Sequence, residues 1–430
     1  MSRDARGGLL RRHRDFRLLW CGETAGRFGS SVTAVALPLI AVADLHASTF
    51  QIGLLSAAAW VPWLVIGLPV GAWVDRLPRR PIMLASAAAS LLLFATVPVA
   101  AWLDALSVGL LLAVALLVGT AGVFFQTAYT AYLPGLVGPA DQAEGNAKLH
   151  GSGSAAQLAG LGSGGLIAQA AGAANGMFAN AVTFLVSLVC LSRIRYREAP
   201  VPRRERALGR EVAQGLRLIA GDVWLRTFVL HGSLCNMVLM SYQAIQIVFL
   251  VERAHLGEGA IGTVLGLAGA GGIAGAAVAR RTAAAIGTAR AMLLFQLGLP
   301  TLALLIPLTG PGAGVACYVV GAGAVAAGVV AGNILRATFQ QSYVPADLRG
   351  RVSASGAFLN YGTIPVGALA GGALATAFGV GPAMWLATAA VPLAAATLFL
   401  CPLARLRDLP DRPAPRLTAD PAGVPAGSAH

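Results

Sequence analysis

Glu23 and Arg27 stand four residues apart inside an otherwise apolar run from Phe16 to Ala43, and Ser30 and Ser31 follow on the same side. That spacing puts both charges on one face if the run is helical. A charge at the middle of a hydrocarbon layer costs about 2.5 to 3.5 kcal/mol on insertion scales, so an ionisable residue there is a functional candidate by default. Pairing with a cation favours the charged carboxylate while desolvation opposes it, and the balance can let such a group bind a proton in one environment only. The alternative is a permanent ion pair that merely holds its helix. His231, about as deep in a later apolar run, is the second candidate proton carrier, because an unperturbed imidazole titrates at roughly pH 6.5. Its alternative is a hydrogen-bonded packing residue.

Amides and phenols are scattered through similar runs: Gln126 and Tyr129, then Asn236, Tyr242, Gln243 and Gln246, then Asn333, and finally Asn360 and Tyr361. Polar groups interleaved with apolar surface suit an amphipathic ligand, and they serve equally as hydrogen-bonding glue between helices. Asp44, Asp104, Glu252 and Glu258 fall at the ends of runs, where water is expected. There is no nucleophile–base pair, phosphate-binding glycine loop or His/Cys constellation, so neither an enzyme, a metal site nor a cofactor is expected. Cys21, Cys190, Cys235, Cys317 and Cys401 have no paired or ligand-like spacing and read as small core residues.

The elements that must position these residues follow from composition. Of 430 residues, 57% are hydrophobic and 11% charged, and the mean hydropathy is +0.72. Such a chain cannot cover a water-facing surface, and most of its solvent must be lipid. About 20 apolar residues cross a hydrocarbon core of about 30 Å. The sequence offers twelve such spans, at 16–43, 51–74, 81–102, 107–132, 146–171, 174–192, 226–251, 260–279, 289–307, 313–335, 352–378 and 382–403. The break between the fifth and sixth lies in Gly-rich sequence near Ala173. The first run resembles a signal peptide in following several Arg residues, but it is too long and lacks a small-residue cleavage site, so it stays as a span.

Of the 31 basic residues, all but Arg27 and Arg253 fall in the N-terminal arm and its flank, the loops at 75–80, 133–150, 193–225, 280–290 and 336–351 with their flanks, or the tail. Excess Lys and Arg marks cytoplasmic loops, so both termini are expected there, in a bacterial inner membrane. The net charge of +13 is then a topology signal and not a nucleic-acid surface. The organisation expected is a cytoplasmic arm at 1–15, a six-helix bundle at 16–192, a central loop at 193–225, a second six-helix bundle at 226–404 and a disordered tail at 405–430. Within the central loop, Val212, Leu216 and Ile219 have the spacing of an amphipathic helix at the interface.

An internal repeat joins the bundles. Pro139-Ala140-Asp141 recurs as Pro345-Ala346-Asp347, and Gly160, Gly164, Gly165 and Gly172 recur in identical register as Gly367, Gly371, Gly372 and Gly379. Related halves are the mark of a transporter whose site lies between them. Glycine at every fourth position clears one helix face for close backbone approach.

Between the second and third spans stands Gly71-Ala-Trp-Val-Asp75-Arg76-Leu-Pro78-Arg79-Arg80. This resembles the cytoplasmic signature of the major facilitator superfamily, with Pro78 where the family often has Gly. The resemblance implies a gate. Gly71 would allow contact with a helix of the other half, and the Asp75 carboxylate, favoured near a helix N-terminus, would hold the outward-open state closed on the cytoplasmic side. The second half keeps only Gly275 with Arg280 and Arg281. The segments FRLLWCGETAGRFGSSVTAVALPLIAV and QQSYVPADLRGRVSA resemble the bacterial exporter branch that includes macrolide-efflux and enterobactin-export proteins. Many members of that branch have an acidic residue near Gln126 and an Arg near Gly153, and both charges are absent here. The resemblance implies an all-α, twelve-helix membrane protein working as a monomer, exporting a drug-like or secondary-metabolite molecule in exchange for protons. An importer of the same fold and a non-transporting sensor are the alternatives.

Overall fold

The computed structural model describes residues 8–74, 76–196, 198, 208–345 and 348–411. Its helices are α1 (Arg14–Asp44), α2 (Thr49–Val74), α3 (Arg79–Trp102), α4 (Val108–Gly138), α5 (139–171) and α6 (Ala173–Ser192), then α7 (Leu208–Gly221), and then α8 (Val223–Ala254), α9 (Glu258–Ile286), α10 (Thr288–Leu308), α11 (Gly312–Tyr343), α12 (Arg349–Phe378) and α13 (Val380–Leu400). Eleven of these are long and apolar enough to cross a membrane. The other full-length helix, α5, is the Gly-rich one; it packs against α1 and, across the molecule, against α9. The protein is an all-α membrane protein of twelve long helices with the short helix α7 between the sixth and seventh of them, no strand occurring among the described residues.

Glycine makes the joints. Gly172 (φ 82°, ψ 146°) ends α5 and Gly379 (φ 84°, ψ 161°) ends α12, and each leads into the next helix with no further loop residue. The two positions share one register of the repeat and one backbone conformation, which a side chain would strain. Gly138 (φ 70°) does the same between α4 and α5. The loop expected across 133–145 is therefore helical on both sides of a single kink, with Pro139 next in sequence, where its missing N–H costs nothing at a helix start.

The three repeated glycine pairs inside the helices meet backbone. A Cβ on Gly160 would lie 2.5 Å from the Phe28 carbonyl oxygen of α1, and one on Gly367 would lie 2.0 Å from that of Met237 in α8. Gly164 and Gly371 extend the same two seams against Val32 and Ser241. Gly165 and Gly372 face the opposite half instead, against Gly262 of α9 and Gly53 of α2. Each of the fifth and twelfth helices thus uses one glycine face within its bundle and another between bundles.

The amphipathic helix forms as α7, with Ile219 buried and Gly215 against Ser355 and the Arg351 carbonyl of α12; the side chain of Val212 lies outside the described set. Asp222 caps α8, accepting from the Trp224 and Leu225 amides at 2.9 Å, and its other oxygen accepts from Tyr343 Oη at 2.7 Å. Residues 405–411, expected within a disordered tail, dock on the start of α10: the Ala289 amide donates to the Arg407 carbonyl and the Thr288 amide to Asp408. Arg336, assigned from sequence to a loop, lies inside α11.

Candidate functional site

Among the described residues four apolar clusters, three large and one small, define where the halves meet. One combines residues of both, including Val35, Leu55, Ala168 and Met177 with Tyr242, Ile245, Ile261 and Tyr318. It occupies the end away from the chain termini. At the other, Arg-rich end the halves keep separate cores, one around Phe16, Met83, Tyr132 and Leu136 and one around Phe228, Met292, Phe339 and Val352. Contacts between α2 and α12 run from Gly53–Gly372 through Ala57–Ala368 to Trp63–Tyr361, where the ring centroids are 5.2 Å apart. The halves are packed together at the Arg-poor end and keep separate cores at the Arg-rich end.

In the first-half wall the Glu23 side chain is 8% exposed and accepts from Arg27 Nε at 2.8 Å, while the Arg27 side chain is 40% exposed. The carboxylate is thus buried behind a guanidinium that faces open space. That space is a cavity of about 260 Å³ lined by Arg27, Gln126, Tyr129, Gln142, Asn146 and His150 among others. Tyr129 and His150 are within electrostatic reach of Glu23. Arg27 lies over Gly153: a Cβ there would stand 2.8 Å from Arg27 Cδ. Ser31 turns back onto the Arg27 carbonyl, and Ser30 is exposed. The sequence-predicted pair and the predicted Gln126 and Tyr129 therefore come together. A larger, apolar groove of about 550 Å³ between α3 and α4, lined by Leu92, Val99 and Leu103, faces outward where lipid would lie.

The second-half candidates separate into two groups. Asn236 Nδ2 donates to the Asn360 carbonyl at 3.3 Å, Ser233 Oγ donates to Asn360 Oδ1 at 3.1 Å, and Asn333 Oδ1 accepts from Arg336 at 3.2 Å. Tyr361 is 39% exposed beside Trp60 and Trp63. Tyr242 is instead buried in the shared core, with Gln246 accepting from Tyr318 Oη at 2.6 Å nearby and Gln243 exposed. His231 is 4% exposed and turned toward α10 and α13, with Gln296 Oε1 at 3.1 Å from Nε2 and Thr397 Oγ1 at 3.4 Å from Nδ1. Both ring nitrogens are engaged inside one bundle. Arg336 was missed by sequence reasoning because its closeness to Arg349 and Arg351 made it look like a loop cation.

Of the gate motif, Asp75 lies outside the described residues. Gly71 has no atom within 4 Å of where a Cβ would stand, and Arg76 is exposed. Arg79 and Arg80 bind the end of α6 and the segment after it: the Arg79 amide donates to Glu198 at 2.6 Å, and Arg80 donates to the Leu191 and Ser192 carbonyls at 3.2 and 2.6 Å. Glu198 is a partner that the motif alone did not reveal.

Two bundles joined at one end, each with polar groups on its inner wall, define a membrane transporter for small molecules and not an enzyme. The chain belongs to the Major Facilitator Superfamily, whose family model matches residues 19–364. It is 30% identical over 399 residues, 88% of this chain and 92% of the relative, to the multidrug efflux pump Tap of Mycolicibacterium fortuitum. Among solved structures it is similar to a single-substitution variant of the nucleoside transporter NupG (TM-score 0.76, 9% identity, 90% of this chain and 99% of that one). It is similar also to a bacterial homologue of the iron transporter ferroportin in an inward-facing state (TM-score 0.70, 16% identity, 91% and 99%). At those identities the likeness is one of fold.

Proposed function

We propose that the protein exports an amphipathic, drug-like or secondary-metabolite molecule in exchange for protons, by alternating access, as a monomer in a bacterial inner membrane. The observation that carries this reading is Glu23, buried behind Arg27 on the wall of a cavity lined by Gln126, Tyr129 and His150. A carboxylate so placed can exchange its cation partner for a proton when the cavity changes sides. The relationship to the efflux pump Tap supports the outward direction and the substrate class. The distribution of Arg supports cytoplasmic termini, which makes this the inward-open state and gives Gly71, Asp75, Arg76, Arg79 and Arg80 the role of a gate that closes in the other state. We place the bundles at 16–192 and 226–404, with 193–225 as the cytoplasmic connection. Asn236, Asn333, Asn360 and Tyr361 are the second-half substrate contacts.

The test is accumulation of a panel of fluorescent drugs in cells lacking their own pumps. Expression should lower accumulation, an uncoupler should abolish the difference, and ATP depletion at constant proton gradient should leave it. The reverse pattern, or raised accumulation, rejects proton-driven export.

A further inference from the structure

The repeat that pairs Gly160 with Gly367 also pairs Gly153 with Asn360, and α4, which carries Gln126 and Tyr129, has its counterpart in α11, which carries Asn333 and Arg336. In the first half a guanidinium from α1, Arg27, lies over Gly153 of α5 beside the wall of α4. In the second half a guanidinium from α11, Arg336, lies against Gly232 of α8 and Asn360 of α12; a Cβ on Gly232 would stand 2.6 Å from Arg336 Nη1 and 2.8 Å from Asn360 Oδ1. Each half therefore presents one cation at the same helix crossing, delivered by a different helix.

The two differ in their partners. Arg27 has Glu23. Arg336 has Asn333 Oδ1 at 3.2 Å, and around it Asn360, Cys235, Tyr361 and His231, none with a full negative charge at neutral pH. Among the described residues no carboxylate pairs with it. Its position, two turns inside the end of α11 at Tyr343 and half-buried, removes much of the water that would otherwise compensate the charge, and an uncompensated cation in such a place is costly. Guanidinium has five N–H donors in a planar fork that fits an oxyanion. One of them is used on Asn333. The neighbouring amides hold the fork in place, since Asn360 is itself fixed by Ser233 and Asn236. The exposed side chains here, Asn333 and Tyr361, give a ligand access from the open space between the halves.

We propose that Arg336, with Asn333 and Asn360, forms an anion subsite that takes the carboxylate, sulfonate or phosphate of an amphipathic small molecule, its apolar part lying toward Tyr361 and Trp63. The inference deepens the transport reading by naming an acidic substrate class, and rests on that reading only in treating the ligand as cargo. The counter-ion that Glu23 supplies to Arg27 is, for Arg336, supplied by the substrate.

The test uses 1-anilinonaphthalene-8-sulfonate and its uncharged parent N-phenyl-1-naphthylamine, with the full chain in phosphatidylcholine nanodiscs and no gradient. Binding is read by energy transfer from tryptophan and corrected for protein-free discs. The sulfonate should bind the wild type at least about ten-fold more tightly than the neutral probe, a difference of roughly 1.4 kcal/mol. Arg336→Gln should abolish the preference, Arg336→Lys should keep part of it, and Arg253→Gln, which removes an exposed cation at the opposite end, should leave it intact. All variants are compared as monodisperse protein. Equal binding of both probes by the wild type, binding of neither, or a preference that survives in Arg336→Gln overturns the subsite, as does its equal loss in Arg253→Gln. Replacing a third of the lipid with phosphatidylglycerol should leave sulfonate binding in place; its disappearance would assign the subsite to a lipid headgroup and overturn the substrate assignment. Gradient-driven efflux with an unchanged preference in Arg336→Gln would reject the subsite alone, whereas a preference without any gradient-driven movement would reject the transport reading alone.

Discussion

Glu23 and Arg27 share a helix face, but their environments are opposite: the acid is enclosed and the base meets the cavity. Protonation of Glu23 would weaken its ion pair with Arg27, and an anion drawn to Arg27 would compete with Glu23, so in the proposed cycle proton and anion would be linked through one guanidinium. Glu23→Gln keeps the shape of the acid without its charge. It should bind a fluorescent drug substrate within about two-fold of wild type while losing pH-driven transport by about ten-fold or more, as fits removal of a proton-exchange group. Exchange between two equilibrated pools should persist. Wild-type rates with unchanged pH dependence in reconstituted vesicles would make Glu23 structural. The resemblance implied an Arg near Gly153, and the sequence shows only a glycine there. The structure fills that space with Arg27 from α1. Spacing along one helix made the pair legible, whereas its seating over α5 depends on a crossing between helices that no local pattern encodes. Gly153→Leu should expel Arg27 from its seat and reproduce the loss of pH dependence with Glu23 untouched.

At the scale of helices, glycine carries information of two kinds. Gly367 meets the Met237 carbonyl so closely that Gly367→Ala must push α12 off α8, and overpacking of this sort costs about 1 to 3 kcal/mol. A lowered melting temperature in detergent is expected for Gly367→Ala. Gly71→Ala should melt as wild type does, because nothing stands within 4 Å of the added atom, yet should slow transport if Gly71 meets the opposite half in another state. Equal melting for both variants would contradict the packing described. The helices, the repeat register and the break beside Ala173 were readable because apolar length, Gly spacing and a positive-φ joint are local or periodic properties. The helicity of 133–145 was not, since Gly138-Pro139 reads equally as a loop and as a kink until tertiary contacts decide. Nor could periodicity show that His231 turns into its own bundle toward Gln296 and Thr397, because a helix face has no label for which neighbour it meets.

Across the described residues the halves share one large core and one small cluster and keep two cores separate. Transport by such a body requires the shared core to part when the separate ones meet, so the two ends compete for one conformational equilibrium. The closed end is built on backbone contact: a Cβ on Gly165 would lie 2.1 Å from the Glu258 carbonyl oxygen and 2.7 Å from the Gly262 amide nitrogen. Neither is a flexible side chain, so Gly165→Ala penalises this state and not one in which α5 and α9 have separated. A penalty of about 1 to 3 kcal/mol shifts the equilibrium about 5- to 150-fold. Spin labels on Ser48 and Gly257, in charge-poor-end loops of opposite halves, report that separation in a background without native cysteines. The distance distribution in nanodiscs should move from predominantly short in the parent to predominantly long in Gly165→Ala, while Gly71→Ala, acting at the far end, should not lengthen it. An unchanged distribution in Gly165→Ala, with the variant still folded, would mean that α5 and α9 do not part during the cycle and that the opening between the halves is fixed.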